Sequence, residues 1–434
     1  MAQSDTTVVG AKNLGSSGVL YSDRRDFYIR PNIVKELWTD VTPFTTVVAN
    51  QSTISGMADP TFKMFEHRNP WVKQKFQIDT AIVNGSMPAE NVETSNITIS
   101  APEGLEAGAN LIGLELEIFD SADASKFKCV VTSYPSANTI KVKLLEAKGS
   151  HAFVATDYAM VIGSAFGEGT TSPTAWSNDL SVVYNQCQIF KTPVEVTGTL
   201  LEASLRGESK ELARLRDMKS QEHKIQKERA FLFGSNLAGI TGAWASSENL
   251  GDVDGNTLRT TMGIIPAINQ HGNSSGEYQN VFASSAVDTY SEFVDAMEKV
   301  FQYVPTSGMK RAFVGAGALG YWSKQGGNAG SFSGDSGWTV NLGDMKRDSL
   351  GFNYRVLETP HGMLQLIPTP VLRGPYNKHM LIVSDENLFH AQYRRPQFQA
   401  SIQANDYDGV KDQYMSDEGI GISLIESHAL MVTP

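Results

Sequence analysis

A chain of 434 residues that is 41% hydrophobic and 19% charged has the composition of a globular protein and can bury a real core. Its net charge of -11 argues against a non-specific nucleic-acid binder, because such proteins neutralise phosphates with Lys and Arg. Cys129 and Cys187 are too few for a disulfide framework, so folding in a reducing cytoplasm is expected. The sequence shows no signal-peptide pattern and no apolar run of membrane-spanning length, so secretion and membrane insertion are not expected.

The first sixty residues are predicted to form an arm that needs a partner to order it. Residues 1–20 are rich in Ser, Thr, Gly and Val without periodicity, and a partner subunit is the natural candidate to hold them. A short anchor helix is predicted at "RPNIVKELWTD" and is expected to end at "TPF", residues 42–44. From Asp59 to Asp79, alternating residues predict two extended segments with one dry face and one basic face.

A small antiparallel β module is predicted at about 97–165. Its strands are "GLELEIF", "KFKCVV" and "TIKVKLL", separated by turn-rich segments. The outward residues are acidic on the first strand and basic on the other two, so the first strand could pair favourably with either of the others. Those residues are Glu115, Glu117, Lys126, Lys128, Lys141 and Lys143.

The longest predicted helix runs from Lys210 to Phe233, with Gly234 as its stop, and would be about 36 Å long. It has nearly as many acidic as basic residues, and Glu222 and Arg229 fall beside an apolar row. Burying an unpaired charge is costly, so these two groups need water or a partner. Two interpretations remain open: a surface helix, or a helix whose charged faces meet neighbouring copies of the chain.

The rest of the chain mixes helices and short strands without regular alternation, which favours an α+β fold. In the strand "QIFKTPVEV", Pro193 indicates an edge or a bulge. The segment "SSAVDTYSEFVDAMEKVFQYV" predicts an amphipathic core helix with a start signal at Ser285 and Asp288. The acidic stretch Asp406 to Glu418 is interpreted as a solvated loop, with a cation site as the alternative. Further strands are predicted at "KRAFV", "FNYRVL", "MLQLI", "HMLIV" and "GISLIE".

Four patterns could carry chemistry, and none is favoured. "GAGALG" at 315–320 matches a dinucleotide fingerprint, but a poor helix follows it, so a tight strand exit is preferred. "GNSSG" at 272–276 lies in a loop, not in the strand–turn–helix that a nucleophilic serine needs. "DVDGN" at 252–256 departs from calcium-loop spacing, and the eight histidines lack metal-ligand spacing. We therefore predict no catalytic residues, no cofactor and no metal.

The order of parts resembles that of tailed-bacteriophage major capsid proteins of the Hong Kong ninety-seven type, in a subgroup with an enlarged extended loop. The likeness covers nearly the whole chain and rests on the polar arm, "TPFTTVV", "DPTFKMFEHRNPWVKQKF", the long charged helix, the α+β domain and the terminal "SLIESHALMV". The resemblance implies an N-terminal arm at 1–58, an extended loop at 59–187 with the module at about 97–165, a peripheral domain at 188–258 with the spine helix, an axial domain at 259–384, and a return to the peripheral domain at 385–434.

The resemblance further implies a capsid protein that assembles as hexamers and pentamers into an icosahedral shell around double-stranded DNA in the bacterial cytoplasm. The implied partners are other copies of the chain, a separate scaffolding protein, a portal, a decoration protein and DNA contacted non-specifically, without a membrane. The residues expected at contacts between subunits are Arg24, Arg25, Asp26, Glu66, Arg68, Trp71, Lys73, Lys75, Glu222 and Arg229. Two rivals remain: a nucleotide-binding enzyme that uses the 315–320 glycine motif, and a tail or adhesin component whose module recognises a receptor.

Overall fold

The computed structural model describes most of the chain after the first forty-one residues. The described residues are 42–67, 75–82, 92–100, 111–120, 124–136, 138–146, 152–173, 180–203, 211–236, 250–251, 257–276, 278–303, 308–321, 345–348, 350 and 352–434. Several sequence-based predictions lie outside them: the helix at "RPNIVKELWTD", the turn at "DVDGN", and the contact residues Arg24, Arg25, Asp26, Arg68, Trp71 and Lys73.

The α-helices with defined bounds are α1 (Pro43–Gln51), α2 (Gly198–Glu202), α3 (Glu211–Phe233), α4 (Ile264–His271) and α5 (Tyr290–Val300). The strands are β1 (Thr53–Ser55), β2 (Thr61–Glu66), β3 (Lys75–Gln77), β4 (Ile97–Thr98), β5 (Leu114–Phe119), β6 (Ser125–Ser136), β7 (Thr139–Leu144), β8 (Tyr158–Ser164), β9 (Ser181–Gln186), β10 (Gln188–Thr197), β11 (Leu250–Gly251), β12 (Thr257–Leu258), β13 (Val281–Phe282), β14 (Met309–Val314), β15 (Lys346–Arg347), β16 (Asn353–Thr359), β17 (Gly362–Pro368), β18 (His379–Val383), β19 (Leu388–Gln399), β20 (Gly409–Ile422) and β21 (Ala429–Val432).

The chain divides into two compact units. One, here called the β unit, is Phe65–Val182, and the other, the main unit, comprises the described parts of Met1–Met64 and of Val183–Pro434. The strands β2 and β9 pair in a two-stranded sheet, and the boundary between the units falls within both of them.

The β unit is a six-stranded antiparallel sheet with the order β3-β8-β5-β6-β7-β4. Its outer strands meet through a bridge between Ile78 and Ile99, so the sheet closes on itself. Along β5 and β7 the buried and half-buried residues alternate, and the buried set fills the interior. Closure leaves few unpaired strand edges, which is the usual solution for a small β domain.

The predicted module is therefore present but larger than the sequence indicated. The predicted strands are β5, β6 and β7, and β5 pairs with β6, so that Glu117 lies opposite Lys128. The alternative pairing of the first strand with the third is not observed, because β7 pairs with β6 and β4. Three further strands complete the sheet: β8 pairs with β5 and with β3, and β4 pairs with β7.

One buried ion pair links the strands of the β unit. Lys126 Nζ lies 2.8 and 2.7 Å from the two carboxylate oxygens of Asp157, whose side chain is 2% exposed. Asp157 also accepts a hydrogen bond from the backbone N–H of Val154 at 2.8 Å. Lys126 is thus paired with a loop aspartate and not with an acidic residue of the neighbouring strand.

Asp157→Ala is expected to destabilise the β unit by about 3 kcal/mol, because it leaves the Lys126 ammonium without its buried partner. Hydrogen exchange should show reduced protection of β5, β6 and β8, with the main unit unchanged. Glu117→Ala is the matched control, since a partly exposed cross-strand pair contributes at most about 1 kcal/mol. Equal effects of the two substitutions would contradict the assigned role of Asp157.

In the main unit, one sheet has four strands in the order β1-β19-β20-β10. The edge position that Pro193 predicted for its strand is confirmed, since β10 pairs only with β20 among the described strands. The prediction of a solvated loop at Asp406 to Glu418 was wrong. Gly409–Ile422 is instead a 14-residue strand in the interior of the sheet, and most of its C-terminal half is buried.

The second sheet of the main unit is mixed and has seven strands in the order β13-β21-β18-β14-β17-β16-β15. Alternate residues of its strands enter two different cores: Phe313 and Leu381 pack with α1 and α4, whereas Ala312 and Ile382 pack with α5. The last strand, β21, belongs to this sheet and pairs with β18.

The amphipathic helix α5 is confirmed, but its start signal was misplaced. Thr289 and Glu292 form the capping box, with reciprocal hydrogen bonds between side chain and backbone. Residues Ser284–Ala286 form a separate 3-10 turn. The predicted strand "GISLIE" is also corrected, because β20 ends at Ile422 and a 3-10 turn follows at Ile425–Ser427.

The segment "TPF" lies at the start of the helix α1. Pro43 occupies the first turn of α1, where a missing N–H costs nothing. Phe44, Val47 and Val48 follow the spacing of one helix face, and each is at most 2% exposed in the core of the main unit. This part of the predicted arm is therefore packed on its own chain, contrary to the expectation that a neighbouring copy orders it.

Candidate functional site: a buried charged seam along the long helix

The sequence predicted a long helix from Lys210 to Phe233. Its described part, α3, is Glu211–Phe233, and it buries charged groups. Its buried side chains are His223, Lys227, Glu228, Phe231 and Leu232. Residues 223, 227 and 231 share one face, because they are spaced four apart. Of the two charged residues singled out in the sequence, Arg229 is exposed, and Glu222 is half-buried beside Lys219, whose Nζ lies 2.7 Å from its carboxylate.

At the centre of this seam, Lys227 and His390 both contact the fully buried carboxylate of Glu418. Lys227 Nζ and His390 Nε2 each lie 3.2 Å from Glu418 Oε2. Burial opposes ionisation of Glu418, but the hydrogen bond from His390 and the charge of Lys227 outweigh it and lower the pKa of Glu418. A carboxylate of β20 is thus held ionised between the helix and β19.

Nearer the start of α3, Arg216 pairs with Asp412, whose side chain is 0% exposed. The Nε and one terminal nitrogen of Arg216 lie 2.8 and 2.7 Å from Asp412 Oδ2, and the guanidinium lies over the Phe398 ring at 5.3 Å. The other oxygen, Oδ1, accepts a hydrogen bond from the backbone N–H of Ser401 at 2.8 Å. This pair fixes the helix to the hairpin between β19 and β20.

Between these two pairs, His223 bridges two strands as a neutral ring. Its Nδ1 lies 3.0 Å from Thr192 Oγ1 on β10, and its Nε2 lies 3.1 Å from Ser416 Oγ on β20. Burial, with the nearby charge of Lys227, lowers the pKa of His223 to about 4. The neutral imidazole needs one donor and one acceptor, and the two hydroxyls can supply both.

On the opposite face of β20, Asp417 lies between two arginines. Arg259 and Arg394 each place a terminal nitrogen 3.3 to 3.4 Å from Asp417 Oδ2, and the carboxylate is 0% exposed. The adjacent carboxylates of β20 are thereby paired on both faces of the strand. This pairing explains how an acidic stretch can occupy the interior of a sheet.

The seam has the character of a structural joint and not of a catalytic centre. The carboxylates of Asp412, Asp417 and Glu418 pair with cations of the same chain, and His223 bridges two hydroxyls. The thiols supply no nucleophile near neutral pH, because burial raises the pKa of Cys129 and raises that of Cys187 to about 12. In the part of the chain that the structure describes, no group of three or more His, Cys, Asp or Glu side chains is placed to hold a metal ion.

The glycine motif at 315–320 is filled by the chain itself. A Cβ on Gly315 would lie 2.7 Å from the carbonyl carbon of Asn377, and the Gly317 N–H donates to Asn377 Oδ1 at 2.9 Å. The Asn377 carbonyl also accepts from Ala318 N–H at 3.2 Å. The backbone N–H groups that would bind a pyrophosphate therefore donate to Asn377 instead. This supports the interpretation of the motif as a tight turn after a strand and disfavours a nucleotide site.

The described contact residues predicted from the sequence do not form one cluster. Lys75 is half-buried, with Nζ 4.0 Å from the centre of the Tyr158 ring. Glu66 is 4% exposed, so its carboxylate is not presented to a neighbour in this conformation. Arg229 is exposed, and Glu222 is half-buried beside Lys219.

A surface that the sequence analysis missed lies at the hairpin between β19 and β20, next to α2. Large side chains there remain exposed, and we name this set the hairpin patch: Leu200 (38%), Leu201 (41%), Phe398 (44%), Ile402 (39%) and Tyr407 (36%). The Gly198 N–H at the start of α2 donates to the Asp408 carbonyl of the hairpin at 3.2 Å. In the sequence, this patch is indicated only by the adjacent residues Leu200 and Leu201. The helix that carries them, α2, buries none of its described side chains.

Comparison with known proteins places the chain among phage capsid proteins, which are structural proteins. A family model described as SU10 major capsid protein matches residues 33–431, and the chain therefore belongs to that family. Over 165 residues it is 27% identical to the major capsid protein of Pseudomonas phage PaMx41, a match that spans 38% of this chain and 36% of that protein.

Solved structures with a similar arrangement include the capsid of a native GTA particle, at 10% identity and a TM-score of 0.45, over 98% of this chain and 99% of that one. Another is the SrpI encapsulin complex of Synechococcus elongatus PCC 7942, at 8% identity and a TM-score of 0.39, over 58% and 77% of the two chains. These likenesses carry no functional conclusion. Within the described residues, no helix is both long and apolar enough to cross a membrane.

Proposed function

We propose that the chain is the major capsid protein of a tailed bacteriophage with the Hong Kong ninety-seven type of capsid fold. Copies assemble as hexamers and pentamers into an icosahedral shell that encloses double-stranded DNA. Assembly takes place in the bacterial cytoplasm with a scaffolding protein and a portal, and the finished protein is located in the virion.

The observation that supports this proposal best is the hairpin patch. The other large apolar side chains of the main unit mostly lie in its cores, whereas five on two touching elements remain open to solvent. Exposed apolar groups clustered in this way are typical of protein–protein contact surfaces. In a family of major capsid proteins, the partner that fits them is another copy of the chain.

The charged seam supports the same proposal in a different way. Because Arg216 and Lys227 of α3 pair with buried carboxylates of β20 in the same chain, α3 is an internal strut. Shell contacts are then assigned to the surfaces that remain free: the exposed Arg229 side chain, the hairpin patch and the segments that the sequence predicts as arm and loop. Arg24, Arg25, Asp26, Arg68, Trp71 and Lys73 remain predicted contacts.

The test is a double substitution, Leu201→Asp with Ile402→Asp, in the full chain. Both side chains are already about two-fifths exposed, so the fold should be retained while a charged patch opposes association. We expect sedimentation and electron microscopy to show unassembled protein with an unchanged melting temperature. The control is Leu201→Met with Ile402→Val, which keeps the patch apolar and should assemble normally. Normal shells from the aspartate variant would contradict the proposal.

A further inference from the structure

The first turn of α1 is capped by a residue from α3. Thr42, at the N-cap position, makes no side-chain capping hydrogen bond. The carboxylate of Glu228 acts as the cap instead of Thr42. It accepts hydrogen bonds from the backbone N–H groups of Phe44, at 3.0 Å, and Thr45, at 2.7 Å. The Thr45 hydroxyl donates to the same carboxylate at 2.6 Å. Free N–H groups at a helix start need such acceptors, and an anion there is favoured by the helix dipole.

Glu228 is the buried carboxylate of α3 that has no cation. Its side chain is 0% exposed, in the core that contains Phe44, Phe231 and Leu232. The titratable or charged groups on the surrounding elements are Lys224, Lys227 and Arg229 on α3, His271 on α4, His390 on β19, Glu418 on β20, and Asp385 and Glu386 in the 3-10 turn Asp385–Asn387. The helix α1 itself has no charged residue.

Among the described residues, none of these groups forms an ion pair with Glu228. Lys227 and His390 are directed to Glu418, as described above. Asp385 accepts hydrogen bonds from Gln51, at the far end of α1, and pairs with Arg311. Within the described part of the chain, the charge of Glu228 is therefore compensated by the three hydrogen bonds and the dipole of α1.

This environment can hold Glu228 in either protonation state. When the carboxyl is ionised, Thr45 Oγ1 donates to Oε2, and when it is protonated, the same hydroxyl can rotate and accept the proton of Oε2. Burial raises the pKa of Glu228 to about 7, and the hydrogen bonds from Thr45 and Phe44 only partly oppose that rise. The group therefore titrates near neutral pH inside the core.

We propose that Glu228 is a proton-operated latch that holds α1 on α3 more tightly when it is protonated than when it is ionised. A carboxyl whose pKa is higher in the folded state than in the unfolded state binds its proton on folding. Its stabilising effect is complete below about pH 4.5 and is lost as the pH rises through about 7. The helix α1 (Pro43–Gln51) lies within the predicted arm of residues 1–58, so the latch acts on a part of that arm. This inference does not depend on the proposed function.

The test is hydrogen exchange of the α1 amides in the full-length chain between about pH 5 and about pH 8, corrected for intrinsic exchange. In the native chain, we expect opening of α1 to increase by up to roughly 100-fold across this range, since each pKa unit corresponds to a tenfold change. Peptides from the β unit serve as the internal reference and should show no such change.

Two variants test whether Glu228 causes the pH dependence of α1 opening. In Glu228→Gln, which keeps the size of the side chain but cannot titrate, α1 should open more easily and without this pH dependence. In Thr45→Val, which removes one donor to the carboxylate, the pH-dependent step should move to a higher pH. A native chain whose α1 protection does not change with pH, or a glutamine variant with the native dependence, would overturn the proposal. The first outcome needs no variant, so misfolding of a variant cannot hide it.

Discussion

Lys227→Ala is expected to lower the free energy of unfolding of the main unit by about 3–5 kcal/mol. Removing one partner of a buried pair leaves the other charge uncompensated, and Glu418 is 0% exposed with only His390 remaining beside it. Chemical denaturation of the purified chain measures the change. The double variant Lys227→Met with Glu418→Gln should lose much less, because no uncompensated charge is left in the core.

The control for Lys227 is Lys219→Ala on the same helix. Lys219 pairs with Glu222 on the partly exposed side of α3, where an ion pair contributes at most about 1 kcal/mol. If both alanine variants lost the same small amount, Glu418 would not depend on Lys227, and the description of α3 as an internally paired strut would be wrong.

Gly315→Ala is expected to destabilise the main unit by about 3 kcal/mol. A Cβ at this position meets the backbone carbonyl of Asn377, which cannot move aside without shifting the start of β18. Gly320→Ala is the matched control from the same motif, because nothing lies within 4 Å of its Cβ position. Thermal unfolding should separate the two variants.

The same pair of variants tests the nucleotide-binding rival. A dinucleotide site would give a melting temperature that rises with added NAD in the native chain. We expect no such rise, because Asn377 already occupies the backbone donors of the motif. An increase in melting temperature with NAD that Gly315→Ala abolishes would revive the enzyme interpretation.

Local patterns predicted the local elements well. The bounds of α3 follow from a run of strong helix formers before Gly234, and the edge position of β10 follows from Pro193, which cannot donate to a further strand. The core face of α5 follows from its apolar spacing. In each case, the residues that determine the element lie within that element or next to it in the sequence.

The errors concern residues whose partners are distant in sequence. Lys227 and Glu418 are about two hundred positions apart, and so are Arg216 and Asp412. Without those partners, "DYDGVKDQYMSDE" has the composition of a solvated loop, although the fold places most of it in a central strand. No single-sequence pattern can indicate which distant cation will neutralise a given carboxylate.

The start of α1 shows the same limit. The sequence analysis did not predict a helix that begins at Pro43, and Thr42 at its N-cap position makes no side-chain capping hydrogen bond. The cap is Glu228, 184 residues from Phe44. In the β unit, the three central strands were predicted from local patterns. The pairing of β3 with β8, such as Gln77 with Tyr158, joins residues that are far apart in the sequence.

Electron microscopy of the purified full-length chain tests the central claim most directly. The claim is that the free surfaces of this chain associate with other copies of it. We expect five- and six-fold capsomers or closed icosahedral shells. A chain that stays monomeric, or that forms rods or fibres, would contradict the assignment as a shell protein.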